Sequence, residues 1–549
     1  MRGKSPRVTF LLSLAVLLTI AHDQAQSQAP VPSSSAPFQL RQTAYIKASN
    51  PQANDHFGCG GSLPGHIGNS AAISADGNII AIGAHQESSA AKGINGDQND
   101  TSLYSAGAVY VYGRQGASWA QQAYIKAANP GQSDNFGMNV ALNADGSTLA
   151  VSAYYESNSA KGINPAQDDD AIPQAGAVYV FTRSGTTWTQ QAYIKASNTG
   201  RPANPSDLED WGDGDQFGSS IALNADGNIL AVGAISEDSR ASSINNNAFQ
   251  GDDSANGAGA VYVFTRSGTT WTQRDYIKGS NTDAGDLFGY TVGLSASGDT
   301  LAVGAYDEDG SGRSTNSIPD NRRGGTGAVY VFDRFGDAWR QTAYLKGSMS
   351  SNNDAMGVSL SISADGNTIA AGAADESCLV PGINAPGCDA DTWPPHLGAG
   401  TSGAAYVWAR TGNAWTQQAF FKSTNPELED WFGVRVSLSG DGNTLVVGAQ
   451  NEDSNARGLN GNQYDNSATE AGAVYIFTRT GATWTQRVYL KSSNDEAFDE
   501  FGSATAISGD GRTIVLGARM EASAAKGVNG NQNDNSIPGA GAAYVFTVN

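Results

Sequence analysis

Two pieces of one stretch decide the fold: FGSSIALNADGNILAVGA at residues 217–234 and GAVYVFTRSGTTWTQRDYIK at residues 259–278. Four runs within them, 219–223, 229–234, 260–264 and 271–278, are rich in β-branched and aromatic residues, which is typical of strands. Asn-Ala-Asp-Gly joins the first two runs and Arg-Ser-Gly-Thr joins the last two. Both are hairpin turns, because glycine accepts a positive φ. The stretch therefore predicts a four-stranded antiparallel sheet.

The same order of Phe-Gly, Asp-Gly, Gly-Ala and a final Gly-Ala-Val-Tyr-Val-Phe recurs seven times along the chain. The Phe-Gly position is occupied by Phe57, Phe136, Phe217, Phe288, Met356, Phe432 and Phe501. The Asp-Gly position is occupied by Asp76, Asp145, Asp226, Ser297, Asp365, Asp441 and Asp510. Seven four-stranded copies predict an all-β fold, a seven-bladed β-propeller that spans residues 37–549.

The two ends of the repeat region indicate how the ring closes. The chain stops at Tyr544-Val545-Phe546, a third strand with no fourth strand after it, while residues 39–47 form an unattached fourth strand before the first Phe-Gly. The N-terminal strand is therefore predicted to complete the last blade. In that strand Leu40 occupies the position that tryptophan holds in the other copies, an apolar exchange that the site should tolerate. Closure removes the sheet edges that would otherwise be exposed.

The N-terminal segment predicts export. Arg2, Lys4 and Arg7 precede an apolar run at 9–20, which is the pattern of a signal peptide; we place it at residues 1–27, followed by a linker at 28–36. The run is shorter than the roughly 20 residues that span a bilayer, and no second apolar span follows, so we expect no membrane insertion. The mature protein is expected to be secreted, or to lie at the cell surface or in the periplasm.

Charge and cysteine content narrow the partners further. The net charge of −21 argues against nucleic acid as a partner, and we expect a monomer. The chain has three cysteines, so disulfides are not what holds it together. Cys378 and Cys388 are predicted to pair within one loop, which leaves Cys59 over.

Phe-Gly followed by Gly-Ala in each copy resembles the FG-GAP repeat of the integrin α-subunit N-terminal propeller and of many bacterial exported proteins. The resemblance covers residues 37–549 and implies the seven-bladed fold. It says little about function, because one fold hosts many functions. The calcium loop of the integrin type, Asp-x-Asp-x-Asp-Gly between the first two strands, is absent here and is replaced by the short Asp-Gly turn.

Three charged positions recur in all seven copies. We interpret them as an ion-pair and hydrogen-bond network that orders the loops, since buried charges need partners; the alternative is an acidic ring that collects cations or basic ligands. The aspartates are Asp55, Asp134, Asp215, Asp286, Asp354, Asp430 and Asp499. The glutamates are Glu87, Glu156, Glu237, Glu308, Glu376, Glu452 and Glu521. The lysines are Lys47, Lys126, Lys195, Lys278, Lys346, Lys422 and Lys491.

Calcium is the one candidate cofactor. Three loops between second and third strands carry alternating oxygen side chains, as at the start of a calcium loop. The candidate ligands are Asn95, Asp97 and Asn99; Asn460, Asn462 and Asp465; and Asn529, Asn531 and Asn533. The alternative is that these asparagines serve turn geometry.

Departures from the repeat point to a unique site better than the repeat does. Blade one has an insertion between Phe57 and Ser70 with Cys59 and His66, blade three has one around 201–211, and blade five has a longer loop. Ligand-binding candidates on the long-loop face are Trp211, Trp393, Trp431, His66 and His396, although tryptophans that pack beneath their own loops are the alternative. His56, His66 and His85 all belong to blade one, and their convergence would allow a metal site.

The sequence favours a binding protein over an enzyme. It shows no nucleophile elbow, phosphate-cradling glycine loop or metal-helix histidine spacing, so no catalytic residue is predicted. The first hypothesis is an exported binding or adhesion module that recognises protein or polysaccharide through its long-loop face. The alternatives are a secreted propeller enzyme acting on glycans, as a hydrolase or lyase, and a structural envelope or matrix component. An enzyme should break the sevenfold pattern with one polar cluster.

Overall fold

Seven four-stranded antiparallel sheets are arranged in the computed structural model, which describes residues 38–59, 68–167, 169–200, 214–245, 249–388 and 401–548. Both the predicted signal peptide and the linker lie outside the described residues. The strands of these parts of the chain are β1 (Leu40–Ile46), β2 (Ala71–Ile73), β3 (Ile79–Ala84), β4 (Ala108–Gln115), β5 (Ser118–Ile125), β6 (Val140–Leu142), β7 (Thr148–Ala153), β8 (Ala177–Ser184), β9 (Thr187–Ile194), β10 (Phe217–Leu223), β11 (Ile229–Ala234), β12 (Ala260–Ser267), β13 (Thr270–Ile277), β14 (Phe288–Leu294), β15 (Thr300–Ala305), β16 (Ala328–Phe335), β17 (Ala338–Leu345), β18 (Met356–Ile362), β19 (Thr368–Ala373), β20 (Ala404–Thr411), β21 (Ala414–Phe421), β22 (Phe432–Leu438), β23 (Thr444–Ala449), β24 (Ala473–Thr480), β25 (Thr483–Leu490), β26 (Phe501–Ile507), β27 (Thr513–Ala518) and β28 (Ala542–Val548).

Each blade takes four strands that follow one another in sequence, from β2–β5 in blade 1 to β22–β25 in blade 6. Blade 7 has the order β26, β27, β28 and β1. Strand β1 runs antiparallel to β28, with Leu40 opposite Val548 and Ile46 opposite Ala543. The predicted seven-bladed propeller and its closure by the N-terminal strand are thus confirmed. Leu40 is buried in the position of the tryptophans, as the sequence predicted.

The apolar core lies between neighbouring blades. Second strands such as β3 and β11 are buried at every residue, because a blade packs against another sheet on both faces, and this is why they are continuously apolar. One core cluster joins Ile46 and Val545 of blade 7 to Ile80 and Trp119 of blade 1. Each blade therefore depends on its neighbours for burial.

The tight hairpins lie on one face, the turn face, where a ring of backbone hydrogen bonds links the β2–β3 turn and its counterparts. Ala75 donates to Ala144, Ala144 to Ala225, and so on through Gly440 to Gly509. The amide of Asp510 returns to the carbonyl of Ala75 at 3.4 Å and completes the circle. The ring is thus closed on the turn face as well as at blade 7.

The long connections, from second to third strands and from fourth to first strands, lie on the opposite face, the loop face. In blade 1 Phe57 fills the Phe-Gly position. Its amide donates to the carbonyl of Ala540 in blade 7, just as the amide of Phe136 in blade 2 donates to the carbonyl of Ala106 in blade 1. The insertion therefore follows Cys59 rather than containing it as expected from the sequence, and residues 60–67 lie outside the described residues. Within the parts of the chain that the structure describes, no helix is long and apolar enough to cross a membrane.

Candidate functional site

A buried lysine–glutamate pair stands behind the loop face of every blade. The lysine follows the fourth strand and the glutamate follows the second, and the nitrogen-to-oxygen distances run from 2.5 to 3.0 Å. The lysine side chains are wholly buried. The pairs are Lys47–Glu521, Lys126–Glu87, Lys195–Glu156, Lys278–Glu237, Lys346–Glu308, Lys422–Glu376 and Lys491–Glu452. Each buried charge thus has a partner in every blade, which favours the interpretation as an ion-pair network, because an unpaired buried charge would be strongly destabilising.

The glutamate also connects one blade to the next. In blade 2, Glu156 accepts hydrogen bonds from Tyr193 of its own blade at 2.8 Å and from Asn129, which follows β5 of blade 1, at 3.2 Å. Asn129 in turn accepts from Tyr179 at 2.7 Å. These tyrosines and asparagines are not among the residues predicted from the sequence, although their fixed spacing from each lysine is a readable signal. Blade 5 differs, because Phe420 and Met349 stand at the two positions.

The recurring aspartates close short turns before the Phe-Gly position. Asp134 accepts a hydrogen bond from the amide of Gly131 at 2.6 Å, and Asp499 accepts one from Glu496 at 3.1 Å. Burial raises the pKa of Asp134 to about 7 and that of Asp499 to about 8, with the neighbouring glutamate adding to the rise. These carboxyls therefore titrate near neutral pH rather than acting as a permanently charged ring.

In each of the three candidate calcium loops, the first asparagine hydrogen-bonds to the outer strand of the sheet. Asn95 has a φ of 57°, its amide donates to the carbonyl of Tyr124 at 2.7 Å, and its Oδ1 accepts from the amide of Tyr124 at 3.0 Å. Asn460 and Asn529 make the same reciprocal pair with Tyr489 and Tyr45. Each asparagine therefore fastens its loop to the outer strand, which favours the turn-geometry alternative at these positions.

The remaining calcium candidates are exposed turn residues. Asp97 accepts hydrogen bonds from Asn99, Asn462 accepts from Tyr464 and Asn531 accepts from Asn533, each two residues further on. Asp465 likewise accepts from Ser467. These are Asx turns, in which the side-chain oxygen serves local geometry. Among the described residues, these loops contain no group of three carboxylate, histidine or cysteine side chains close enough to share a metal ion.

Exposed apolar side chains concentrate on the loop face. Eight large hydrophobic residues are exposed in the described parts of the chain, and seven of them lie in the long connections of the loop face. They are Tyr104, Phe249, Ile318, Leu428, Leu459, Tyr464 and Phe498. The eighth, Phe335, lies in the β16–β17 hairpin of the turn face. An apolar surface concentrated on one face is a feature of interaction sites.

The sevenfold pattern breaks around the axis at the loop-face end. On one side Tyr290, Val358 and Val434 form an apolar cluster with Ile235 and Ala374. On the side of blades 7 and 1, the equivalent positions are polar. There Arg519 pairs with Glu500. Burial, helped by the charge of Arg519, lowers the pKa of His56 to about 4.

The other end of the axis is an open channel of about 250 Å³. The innermost strands of all seven blades line it, and none of the described lining residues is charged. A ring of aliphatic side chains projects from these strands: Ile73, Leu142, Leu223, Leu294, Ile362, Leu438 and Ile507. The channel thus offers no acid or base for catalysis among the described residues.

Of the five predicted ligand-binding residues, the structure describes Trp431. Trp431, expected to be exposed, is half-buried and packs against the apolar cluster at the axis. The expectation of exposure was wrong because the residue before Phe-Gly, here with a φ of 55°, is turned into the ring. The structure joins Cys378 and Cys388 by a disulfide. The candidates Trp211, Trp393, His66 and His396 lie outside the described residues.

Four segments of the chain match a family model described as FG-GAP repeat: residues 119–181, 271–332, 415–477 and 484–546. Each begins at the tryptophan of a fourth strand and ends in the third strand of the next blade. The copies that contain the insertions of blades 1 and 3 and the long loop of blade 5 fall outside the matches. No curated protein matched the sequence.

Solved propellers resemble the chain at low identity. The RRP9 WD40 repeats share 9% identity at a TM-score of 0.44, covering 92% of this chain and 100% of that one. The periplasmic gluconolactonase PpgL of Pseudomonas aeruginosa shares 12% at 0.42, covering 84% and 97%. A putative 6-phosphogluconolactonase from Bacteroides uniformis shares 8% at 0.41, covering 79% and 88%. Likenesses at this level say nothing about activity.

Proposed function

We propose that this chain, a seven-bladed β-propeller that carries FG-GAP repeats, is an exported binding or adhesion module that recognises a protein or polysaccharide through its loop face. The observation that carries the proposal is the distribution of exposed apolar side chains, seven of eight on that face among the described residues. Tyrosine and phenylalanine are the side chains that stack on sugar rings and anchor protein interfaces.

The scaffold beneath the loops supports this use. Every loop between a second and third strand is fastened to the fourth strand by an asparagine pair such as Asn95 with Tyr124, and backed by a buried pair such as Lys126 with Glu87. Loops on a rigid support bind with less loss of conformational entropy. Export rests on the predicted signal peptide at residues 1–27, and whether the loops bind calcium is tested separately below.

The test screens the mature protein against arrayed polysaccharides and purified matrix proteins. A variant with Tyr104→Ser, Tyr464→Ser and Phe498→Ser removes three exposed rings from the loop face. The control is Phe335→Ser, which removes an exposed ring from the turn face. We expect binding that the triple variant weakens at least tenfold and the control leaves unchanged. Equal effects of both variants, or no binding partner, would contradict the proposal.

A secreted enzyme acting on glycans is the second candidate, and the polar cluster at the axis favours it. His56, His85, Glu500 and Arg519 gather on one side of the ring, as expected of a site unique to one part of the repeat. The discriminating measurement is release of reducing ends or unsaturated products from the bound polysaccharide. Turnover by the wild-type protein that His85→Gln abolishes would favour the enzyme, and binding without turnover would exclude it.

A further inference from the structure

Three positions of the repeat face the axis at its loop-face end, and blade 1 fills all three with metal-binding side chains. These are the residues before Phe-Gly, after Phe-Gly and after Gly-Ala, which in blade 1 are His56, Cys59 and His85. The other blades carry, in the same order, Asn135, Met138 and Tyr154; Gln216, Ser219 and Ile235; Leu287, Tyr290 and Tyr306; Ala355, Val358 and Ala374; Trp431, Val434 and Gln450; and Glu500, Ser503 and Arg519. Histidine and cysteine together occur only in blade 1.

The backbone brings these three side chains together. His56 and Gly58 have φ angles of 54° and 77°, and the amide of Cys59 donates to the carbonyl of His56 at 3.0 Å. This turn puts residues 56 and 59 on one side. His85 directly follows β3, and its ring lies 5.5 Å from that of His56, centroid to centroid. One nitrogen of each histidine and the cysteine sulfur all lie within 4.8 Å of one another.

We propose that His56, Cys59 and His85 bind a transition metal ion of the zinc class. Two imidazole nitrogens and one sulfur are borderline-to-soft donors, which favour zinc over calcium or magnesium. With metal–nitrogen distances of about 2.0–2.1 Å and a metal–sulfur distance of about 2.3 Å, donors around one tetrahedral ion lie roughly 3.3–3.6 Å apart. A pair separated by the full 4.8 Å therefore has to close by a little over about 1 Å when the ion binds. Three protein ligands leave the fourth position for water or another ligand, as in open zinc sites.

An unused donor atom supports the site independently of its composition. His56 is 9% exposed, and its Nδ1 has no hydrogen-bond partner among the described residues. A buried polar atom without a partner costs free energy unless something binds it. A metal ion between the three side chains would supply that partner.

The surroundings suit a thiolate ligand. Cys59 is 1% exposed and outside any disulfide, since Cys378 and Cys388 pair with each other. The guanidinium of Arg519 is a hydrogen-bonding neighbour of Cys59, and a cation beside a thiol favours the thiolate that binds metal. Glu500 offsets the charge of Arg519 through both of its carboxylate oxygens. Outer partners of this kind orient the ligands of metal sites.

The experiment uses the mature protein freed of metal and titrated with Co²⁺, then with Zn²⁺. We expect one Co²⁺ per chain with a thiolate-to-cobalt charge-transfer band, which one equivalent of Zn²⁺ removes. The variants His56→Asn, Cys59→Ser and His85→Gln each introduce the residue that another blade carries at the same position, at Asn135, Ser219 and Gln450, so the fold should tolerate them.

Each of these variants should weaken Co²⁺ binding at least tenfold, and Cys59→Ser should abolish the charge-transfer band. The control Ser503→Ala lies at the position of Cys59 in blade 7 and should leave binding unchanged. No charge-transfer band in the wild-type protein would overturn the proposal, even if a variant failed to fold. Binding that survives all three substitutions together would overturn it as well.

Discussion

Glu156 and its six counterparts are carboxylates held out of water, each facing one buried lysine. An unpaired buried charge is far costlier than a buried pair, because the lysine loses its hydration and gains nothing in return. At the scale of the residue, the stability of a blade therefore depends on keeping both partners.

Glu156→Gln tests this dependence. The amide can still accept the hydrogen bonds of Tyr193 and Asn129 but leaves Lys195 without a counter-charge. We expect a loss of about 3–5 kcal/mol in the free energy of unfolding, measured by urea denaturation. The control is Asp299→Asn, which removes an exposed pair with Arg334 and should cost about 1 kcal/mol or less. Equal losses in the two variants would contradict the scaffold role.

The recurring aspartates predict a pH dependence. Burial raises the pKa of Asp55 and Asp134 to about 7 and that of Asp286, Asp354, Asp430 and Asp499 to about 8. The unfolded chain has a pKa of about 3.9 at each aspartate, so between about pH 4 and pH 8 the folded state binds more protons. The contribution of these groups to stability is therefore complete below the unfolded pKa and is lost as pH rises towards 8.

Burial lowers the pKa of the buried lysines, so below pH 10.5 their contribution to stability changes with pH in the opposite direction to that of the aspartates. Comparing the wild-type protein with Asp134→Asn isolates the contribution of one aspartate, because the lysines are the same in both. We expect the urea midpoint of the wild-type protein to fall more steeply between pH 5 and pH 8 than that of the variant. Parallel profiles would show that Asp134 titrates in the same range in both states.

At the scale of the element, glycine lets neighbouring blades approach. Gly176, which precedes β8, has a φ of 79°, and a Cβ there would lie 2.1 Å from the carbonyl oxygen of Phe217 in the next blade. Gly259, Gly327 and Gly472 make the same approach to the next Phe-Gly position. The Gly-Ala-Val-Tyr motif that begins the third strand of one blade thus contacts the Phe-Gly position of the next blade.

Gly176→Ala should destabilise the protein by about 2–6 kcal/mol, because backbone strain and overpacking add. Gly251→Ala is the matched control: it lies in a loop of blade 3 with open space around it and no positive φ. Thermal unfolding of the two variants checks this. A Gly176→Ala variant as stable as the control would contradict the interface.

The loops between second and third strands should not need calcium. Their side-chain oxygens already accept backbone hydrogen bonds, as Asn95 does from Tyr124 and Asn462 from Tyr464. We expect metal-free protein to unfold at the same temperature with and without added calcium. A rise with calcium would show binding to the folded state and would restore the loops as calcium sites.

The elements could be predicted from sequence because they repeat. Strands, hairpin turns and the positions of the charged residues recur in register, so each of the seven copies supports the assignment made in the others. The repeat also showed that Leu40 takes the place of the tryptophan. The burial of Trp431 could not be predicted, because it depends on what three other blades place at the axis. Likewise the sequence grouped His56 with His85 but gave no reason to add Cys59, since the direction of Cys59 depends on the turn at Gly58.

At the scale of the whole molecule, the pairing of β1 with β28 closes the ring and so brings blade 7 beside blade 1. Strand β1 carries Tyr45 and leads into Lys47, and both bind Glu521 of blade 7, while Asn50 continues to Glu87 of blade 1. Residues 40–50 thus complete the last sheet and connect it to the first. The loop face, the axis and the proposed metal site all depend on this join.

Hydrogen–deuterium exchange of the protein without residues 1–27 tests the join most directly. β1 is the outer strand of its sheet, so the amides to follow are those that point to β28. They should exchange as slowly as the β28 amides that point to β1, because both sets belong to one ladder of hydrogen bonds. Exchange of β1 at the rate of an unstructured chain, while β28 stays protected, would contradict the closed propeller.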